Sequence, residues 1–156
     1  LPLPQKMPIH RFTCGGTHLV YSLLVAARHG FLTAEGRDHL QGQLQMLIYR
    51  LQADPDLIDR YYQRLAQAPG VEVFRVDAKL KLLGHALECL GYAKRHGLFR
   101  PGRMERERMG KAEEEVRGFF TYFGGLDLQA VRQRSAQLHQ QIIGDLCHAF
   151  RGMRLV

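Results

Sequence analysis

HLVYSLLVAARHGFL at residues 18–32 and HALECLGYAKRHGLF at residues 85–99 decide how this chain is read. Shifted by 67 positions, they match at His18/His85, Leu23/Leu90, Ala26/Ala93, Arg28/Arg95, His29/His96 and Gly30/Gly97. Each segment is apolar over several turns and closes on basic residues followed by glycine, which is how helices end. A glycine precedes each first histidine, and a second amphipathic stretch follows each segment. The pattern predicts a duplicated helix hairpin.

The flanking segments extend this all-α reading. Thr33 is placed to cap a helix seamed by Leu40, Leu44, Leu47, Ile48 and Leu51, which share one helical face. Asp54-Pro55 reads as the cap and first position of a separate short helix carrying Leu57, Ile58, Tyr61, Tyr62 and Leu65, ended by Ala68-Pro69-Gly70. VEVFRV at 71–76 alternates like a strand but has no partner strand, so it reads as an extended connector. Asp77 is then expected to cap a helix seamed by Leu80, Leu83, Leu87 and Leu90.

Pro101-Gly102 opens the helix of Met109, Ala112, Val116, Phe119, Phe120 and Phe123. Asp127 opens a long last helix over 127–152. The expected organisation is an extended N-terminal arm at 1–12 and one all-α domain over 13–156. That domain has hairpins at 14–52 and 77–123 and about six helices in stacked α/α hairpins, as a partial toroid or solenoid-like arc.

CGGTH at 14–18, together with the Asp-x-x-Leu-x-x-x-Gly-His-x-Leu-Glu run at 77–88, resembles uncharacterised bacterial proteins of the α/α-toroid type. Independently of it, stacked hairpins would leave a concave surface lined by the inner helices. Those proteins are similar in architecture to terpenoid cyclases and protein prenyltransferases. This chain has no DDxD acid cluster and no tryptophan, so that chemistry is not carried over.

The formal net charge is +7, and Lys94, Arg95, Arg100, Arg103, Arg106 and Arg108 crowd into one stretch. This patch admits an anionic partner, nucleic acid included, although no nucleic-acid-binding motif accompanies it. No apolar run reaches the length of a transmembrane segment. Cys14, Cys89 and Cys147 are an odd, dispersed set, which points to reduced thiols and a cytoplasmic setting. The start at Leu1 leaves a processed, exported form open.

Three chemistries compete for the same residues. Cys14/His18 and His85/Cys89 are each four apart, and convergence of the two pairs would give a zinc-type donor set. No other cofactor is expected. Cys14 ahead of a helix N-terminus, with His18 as base, would suit a nucleophilic thiol. His18, His85, His139 and His148, with Tyr21, Tyr92 and Asp77, would line a ligand pocket on the inner helices. The crowded Phe119, Phe120, Tyr122 and Phe123 suggest a surface for a protein partner or second copy. The leading expectation is a non-catalytic helical binding or accessory subunit acting through protein association. A small metal- or thiol-dependent enzyme and a basic nucleic-acid-binding module are the alternatives.

Overall fold

The structure, a computed structural model, describes residues 13–65 and 70–156. Among the described residues there are six α-helices and no strand: α1 Thr17–Arg28, α2 Ala34–Gln63, α3 Val71–Arg95, α4 Arg103–Gly124, α5 Leu128–Arg134 and α6 Ala136–Leu155. The expected all-α class and helix number are found. The arm at 1–12 and most of the Ala68-Pro69-Gly70 break lie outside the described residues.

The two repeated segments end alike. Gly30 and Gly97 take φ of 76° and 68°, the left-handed region that glycine enters without strain. Phe31 N–H donates to Ala26 O, and Leu98 N–H to Ala93 O, at 2.9 and 2.8 Å. These bonds satisfy the last carbonyls of α1 and α3 at matching positions. At the following turn Thr33 accepts from Gly36 N–H, as its N-cap position predicts.

The largest helix–helix contact is between α3 and α6, with α1 also against α3 and α2 against both α3 and α4. The central element is α3, which touches α1, α2, α4 and α6. Leu80, Leu83, Leu87 and Leu90 are all buried in its seam. VEVFRV is helical rather than extended. Val73 and Val76 precede Leu80 at helical spacing, so they continue the leucine seam, and burial outweighs the β-branched preference of isolated valines. Asp77 is consequently not a cap; it sits inside α3, buried.

Two further boundaries differ from expectation. Helix α2 continues through Pro55, although an interior proline forfeits one backbone bond and costs about 3 kcal/mol. The far half is tied to the core independently, since Asp59 accepts from Arg75 and Lys79 of α3 at 2.6 and 2.9 Å. Lys79 is itself buried and reaches Glu115 of α4, so one ammonium joins α2, α3 and α4. The last helix is two helices. Ser135 takes extended φ/ψ and its hydroxyl accepts from Leu138 N–H, which starts α6 afresh.

Helices α3 and α6 approach unusually closely. A Cβ on Gly84 would fall 2.8 Å from that of Ala149, and one on Gly152 would fall 2.8 Å from the backbone nitrogen of Glu88. Gly84 is the glycine that precedes His85 in the second repeated segment. In the fold it lies mid-helix and serves this crossing. The crossing fixes which residues of α6 face α3, and thereby assembles the site below.

Candidate metal centre

On α3 the positions Asp77, Lys81, His85, Glu88 and Tyr92 follow one another at three- and four-residue steps, forming a polar stripe. Four of the five are buried: Asp77, His85, Glu88 and Tyr92. Burying that many polar groups costs free energy unless each is satisfied, which makes the stripe the first place to look for a site. Across from it stand His18 and Tyr21 of α1, and Asp145, His148 and Arg151 of α6.

Three histidine rings meet there. Ring centroids are 4.9 Å apart for His18–His85, 5.6 Å for His18–His148 and 4.1 Å for His85–His148. His18, His85 and His148 of the expected set therefore converge, as do Tyr21 and Tyr92, whose rings are 5.0 Å apart. His139 does not join them; it lies in the first turn of α6, away from the cleft. Asp77 is also absent from the cleft wall and belongs to a separate acidic pair.

Cys14 completes the cluster by an unusual backbone. Cys14, Gly15 and Gly16 have φ of 54°, 62° and 77°, so the chain makes a left-handed turn into α1. For a non-glycine residue this costs about 1–2 kcal/mol. The turn is braced from α2, where Arg50 donates to Gly15 O at 2.7 Å and to Asp54 at 2.8 Å. A Cβ on Gly15 would overlap that guanidinium. Thr17 Oγ1 donates back to Cys14 O at 2.8 Å. Proximity of Cys14 to His18 thus comes from the turn, not from four-residue helical spacing.

The donor atoms of Cys14, His18 and His85 all lie within 4.8 Å of one another. Ligands around a tetrahedral zinc ion with bonds of about 2.0–2.3 Å are separated by about 3.3–3.8 Å. The separation present exceeds that spacing by no more than about 1.5 Å, a difference side-chain rotation can close. His85 is already oriented. Its Nδ1 lies 2.8 Å from Lys81 O, and a carbonyl only accepts, so Nδ1 carries the proton and Nε2 keeps its lone pair. Burial, then the neighbouring His148 ring, holds the His85 pKa down to about 4, so the ring is neutral at pH 7.

Cys89 is not part of this set. Its thiol donates to Thr17 O at 3.4 Å, and burial pushes its pKa up. A free nucleophilic thiol at Cys14 also has little support. Burial raises its pKa, with Lys81 opposing, so the helix N-terminus does not produce a thiolate unaided.

No family model, curated protein or solved structure matches this chain. Its chemistry is accordingly read from the side chains themselves. Beside the trio is a cleft of about 90 Å³ lined by Thr17, His18, Tyr21, His85, Glu88, Cys89, His148 and Arg151. Glu88 accepts from His148 Nδ1 at 2.7 Å and from Arg151 Nη1 at 3.1 Å. Arg151 also donates to the Tyr21 hydroxyl at 2.5 Å, and Arg28 to that of Tyr92 at 3.3 Å. Glu88 and Arg151 are not among the residues that the sequence singles out. A glutamate at helical spacing from His85 was the available signal for the first.

Behind Cys14 lies an acidic pair. Asp77 Oδ1 and Asp145 Oδ2 are buried without a hydrogen-bond partner, while Gln141 donates to the other oxygen of Asp77 and Lys81 stands 3.5 Å from Asp145. One proton held between the two carboxyls gives both a partner. Burial raises the pKa of Asp77; burial, with repulsion from Asp77, raises that of Asp145 to about 6. A carboxyl raised in the folded state favours folding below its unfolded pKa and loses that contribution as pH climbs through the folded value. Metal-free protein is therefore expected to lose about 1–2 kcal/mol of stability between pH 4 and 7 from this pair, after allowance for solvent screening. Asp145→Asn should flatten that slope in urea unfolding followed across pH; an unchanged slope would refute the assignment.

The remaining sequence candidates are dispersed. Phe119 and Phe123 are buried, and Phe120 and Tyr122 pack against the same core. In the basic stretch Lys94 donates to Val156 O and Arg106 to Pro101 O. Arg103 and Arg108 stand among Glu105, Glu107 and Glu115. No helix of the described residues is long and apolar enough to cross a membrane.

Proposed function

We propose that this protein is a transition-metal protein of the zinc class, with Cys14, His18 and His85 as ligands and a fourth position open to the adjoining cleft. The observation that carries the reading is the convergence of three donors from three separate elements, the strained turn supplying Cys14, α1 His18 and α3 His85. Two features support it. His85 is fixed by a backbone carbonyl in the tautomer that ligation needs. The left-handed Cys14 is strain placed where a ligand would need it. Three protein ligands with one open position is the pattern of catalytic rather than structural zinc, so the arrangement suits Lewis-acid activation of a bound water or carbonyl. The basic-patch reading has mixed charge around it, and the phenylalanine cluster is taken up by the core, so neither supports a function as directly.

Cobalt(II) is the test, because a thiolate ligand gives it an intense charge-transfer band. Titration of the purified protein should saturate at one equivalent with that band present. Absence of the band, or its persistence in Cys14→Ser, would sink the proposal.

A further inference from the structure

We infer that α2 pairs with α2 of a second copy of this chain, in antiparallel orientation, through the face it turns away from the core. The inference is independent of the metal reading. Leu40, Leu44, Leu47, Ile48 and Leu51 form the buried side of α2. Met46, Tyr49, Ala53, Leu57 and Tyr61 follow one another at three- and four-residue steps along the opposite side. The large members of this second stripe are all exposed, Tyr49, Leu57 and Tyr61 at 61%, 62% and 61%. Isolated exposed apolar residues are ordinary, whereas a continuous stripe about four turns long marks a contact surface.

Charge identifies the occupant. Glu35 and Asp38 lie on this face at the N-terminal end of α2, Arg60 and Arg64 at its C-terminal end, and all four are exposed. Arg37, two residues past Glu35, falls on the other side of the helix. A parallel copy would set like charges together. An antiparallel copy sets Glu35 and Asp38 of each chain against Arg64 and Arg60 of the other, and it also opposes the two helix dipoles. Shape agrees with charge. In the register that pairs Glu35 with Arg64, Leu57 of one copy meets Gly42 of the other, and Met46 meets Ala53. Each large side chain thus meets a small residue, and two-fold symmetry makes every such contact twice. The seat at Gly42 is open, since a Cβ there would meet nothing within 4 Å. One helix against one helix is a small interface, below about 1,200 Å² in total, so the dimer is expected at micromolar rather than nanomolar concentration.

Sedimentation equilibrium of the full chain, from micromolar to submillimolar concentration, should give a monomer–dimer equilibrium that weakens with added salt. Gly42→Leu should weaken the dimer about ten-fold or more without lowering the melting temperature, because the new side chain is unhindered in the monomer and fills the seat of Leu57. Glu35→Arg and Arg64→Glu should each weaken it about three- to ten-fold. The double variant, which exchanges the two charges, should return to within about two-fold of the unmodified chain. A melting curve for each variant shows that it is folded. A chain that stays monomeric throughout the range leaves the stripe to a different partner and overturns the inference. A dimer that Gly42→Leu leaves unchanged, or a charge exchange that restores nothing, overturns it as well.

Discussion

His85→Ala should lower zinc affinity by two to three orders of magnitude, and Cys14→Ala by as much, while Cys89→Ala leaves it unchanged. Structural zinc bound by a full ligand set is worth about 10–16 kcal/mol, so one ligand carries about 3–4 kcal/mol, or about a hundred- to a thousand-fold. His85 belongs at the upper end. Its ring is buried, and its Nδ1–H is committed to Lys81 O, so little rotamer freedom is lost when the metal binds. His18→Ala should cost less, because that ring stands exposed at the edge of the cluster and must be ordered by the ion. His148→Ala should change affinity by about ten-fold or less, since its Nδ1 is held by Glu88 and it stands outside the trio. Competition with a chromophoric chelator measures all five, and a melting curve for each shows that the protein is folded. Equal loss in Cys89→Ala and Cys14→Ala would return the donor set to the one that spacing alone suggested.

That comparison shows how far spacing reaches. His85 and Cys89 are four apart, which places them near one face of α3, yet one ring enters the cleft and the other residue's thiol meets the backbone of α1. Four-residue spacing fixes a helix face to within a residue's width, and a third helix decides what that face meets. The pairing of His18 with His85 was legible because both belong to the repeated segment. Cys14 was legible as the residue that breaks the repeat, but its position depends on three consecutive left-handed residues, which CGG permits and does not by itself announce.

The fold errors have one origin. Valines at 71–76 and Pro55 were read by local preference, whereas Val76 is buried in the α3 seam and the segment after Pro55 is held by Asp59. Asp145 and Arg151 needed the register of α6 on α3, and no hydrophobic period contains that register. It is set by the glycines of the crossing.

Gly152→Val should therefore destabilise the protein by about 3 kcal/mol or more, whereas Gly144→Ala on the same helix should stabilise it by about 0.5–1 kcal/mol. Both glycines lie in α6 and carry the same intrinsic helix penalty. They differ in surroundings. A Cβ at Gly144 meets nothing within 4 Å. One at Gly152 would lie 2.8 Å from Glu88 N, 3.0 Å from Gly84 O and 3.1 Å from Leu87 Cβ. Two of those atoms are backbone, so relief requires α6 to move off α3, and interiors packed at crystal density do not absorb such a shift locally. The same displacement would carry His148 and Arg151 away from Glu88 and from the cleft. Gly152→Ala, the milder change, should accordingly cost about 1–3 kcal/mol with little change in the cobalt affinity of the folded protein. The metal ligands lie on the turn, α1 and α3, and none lies on α6. Urea unfolding of the glycine variants, read beside their cobalt titrations, tests that division; a cobalt affinity that falls in step with stability would place α6 among the supports of the metal as well.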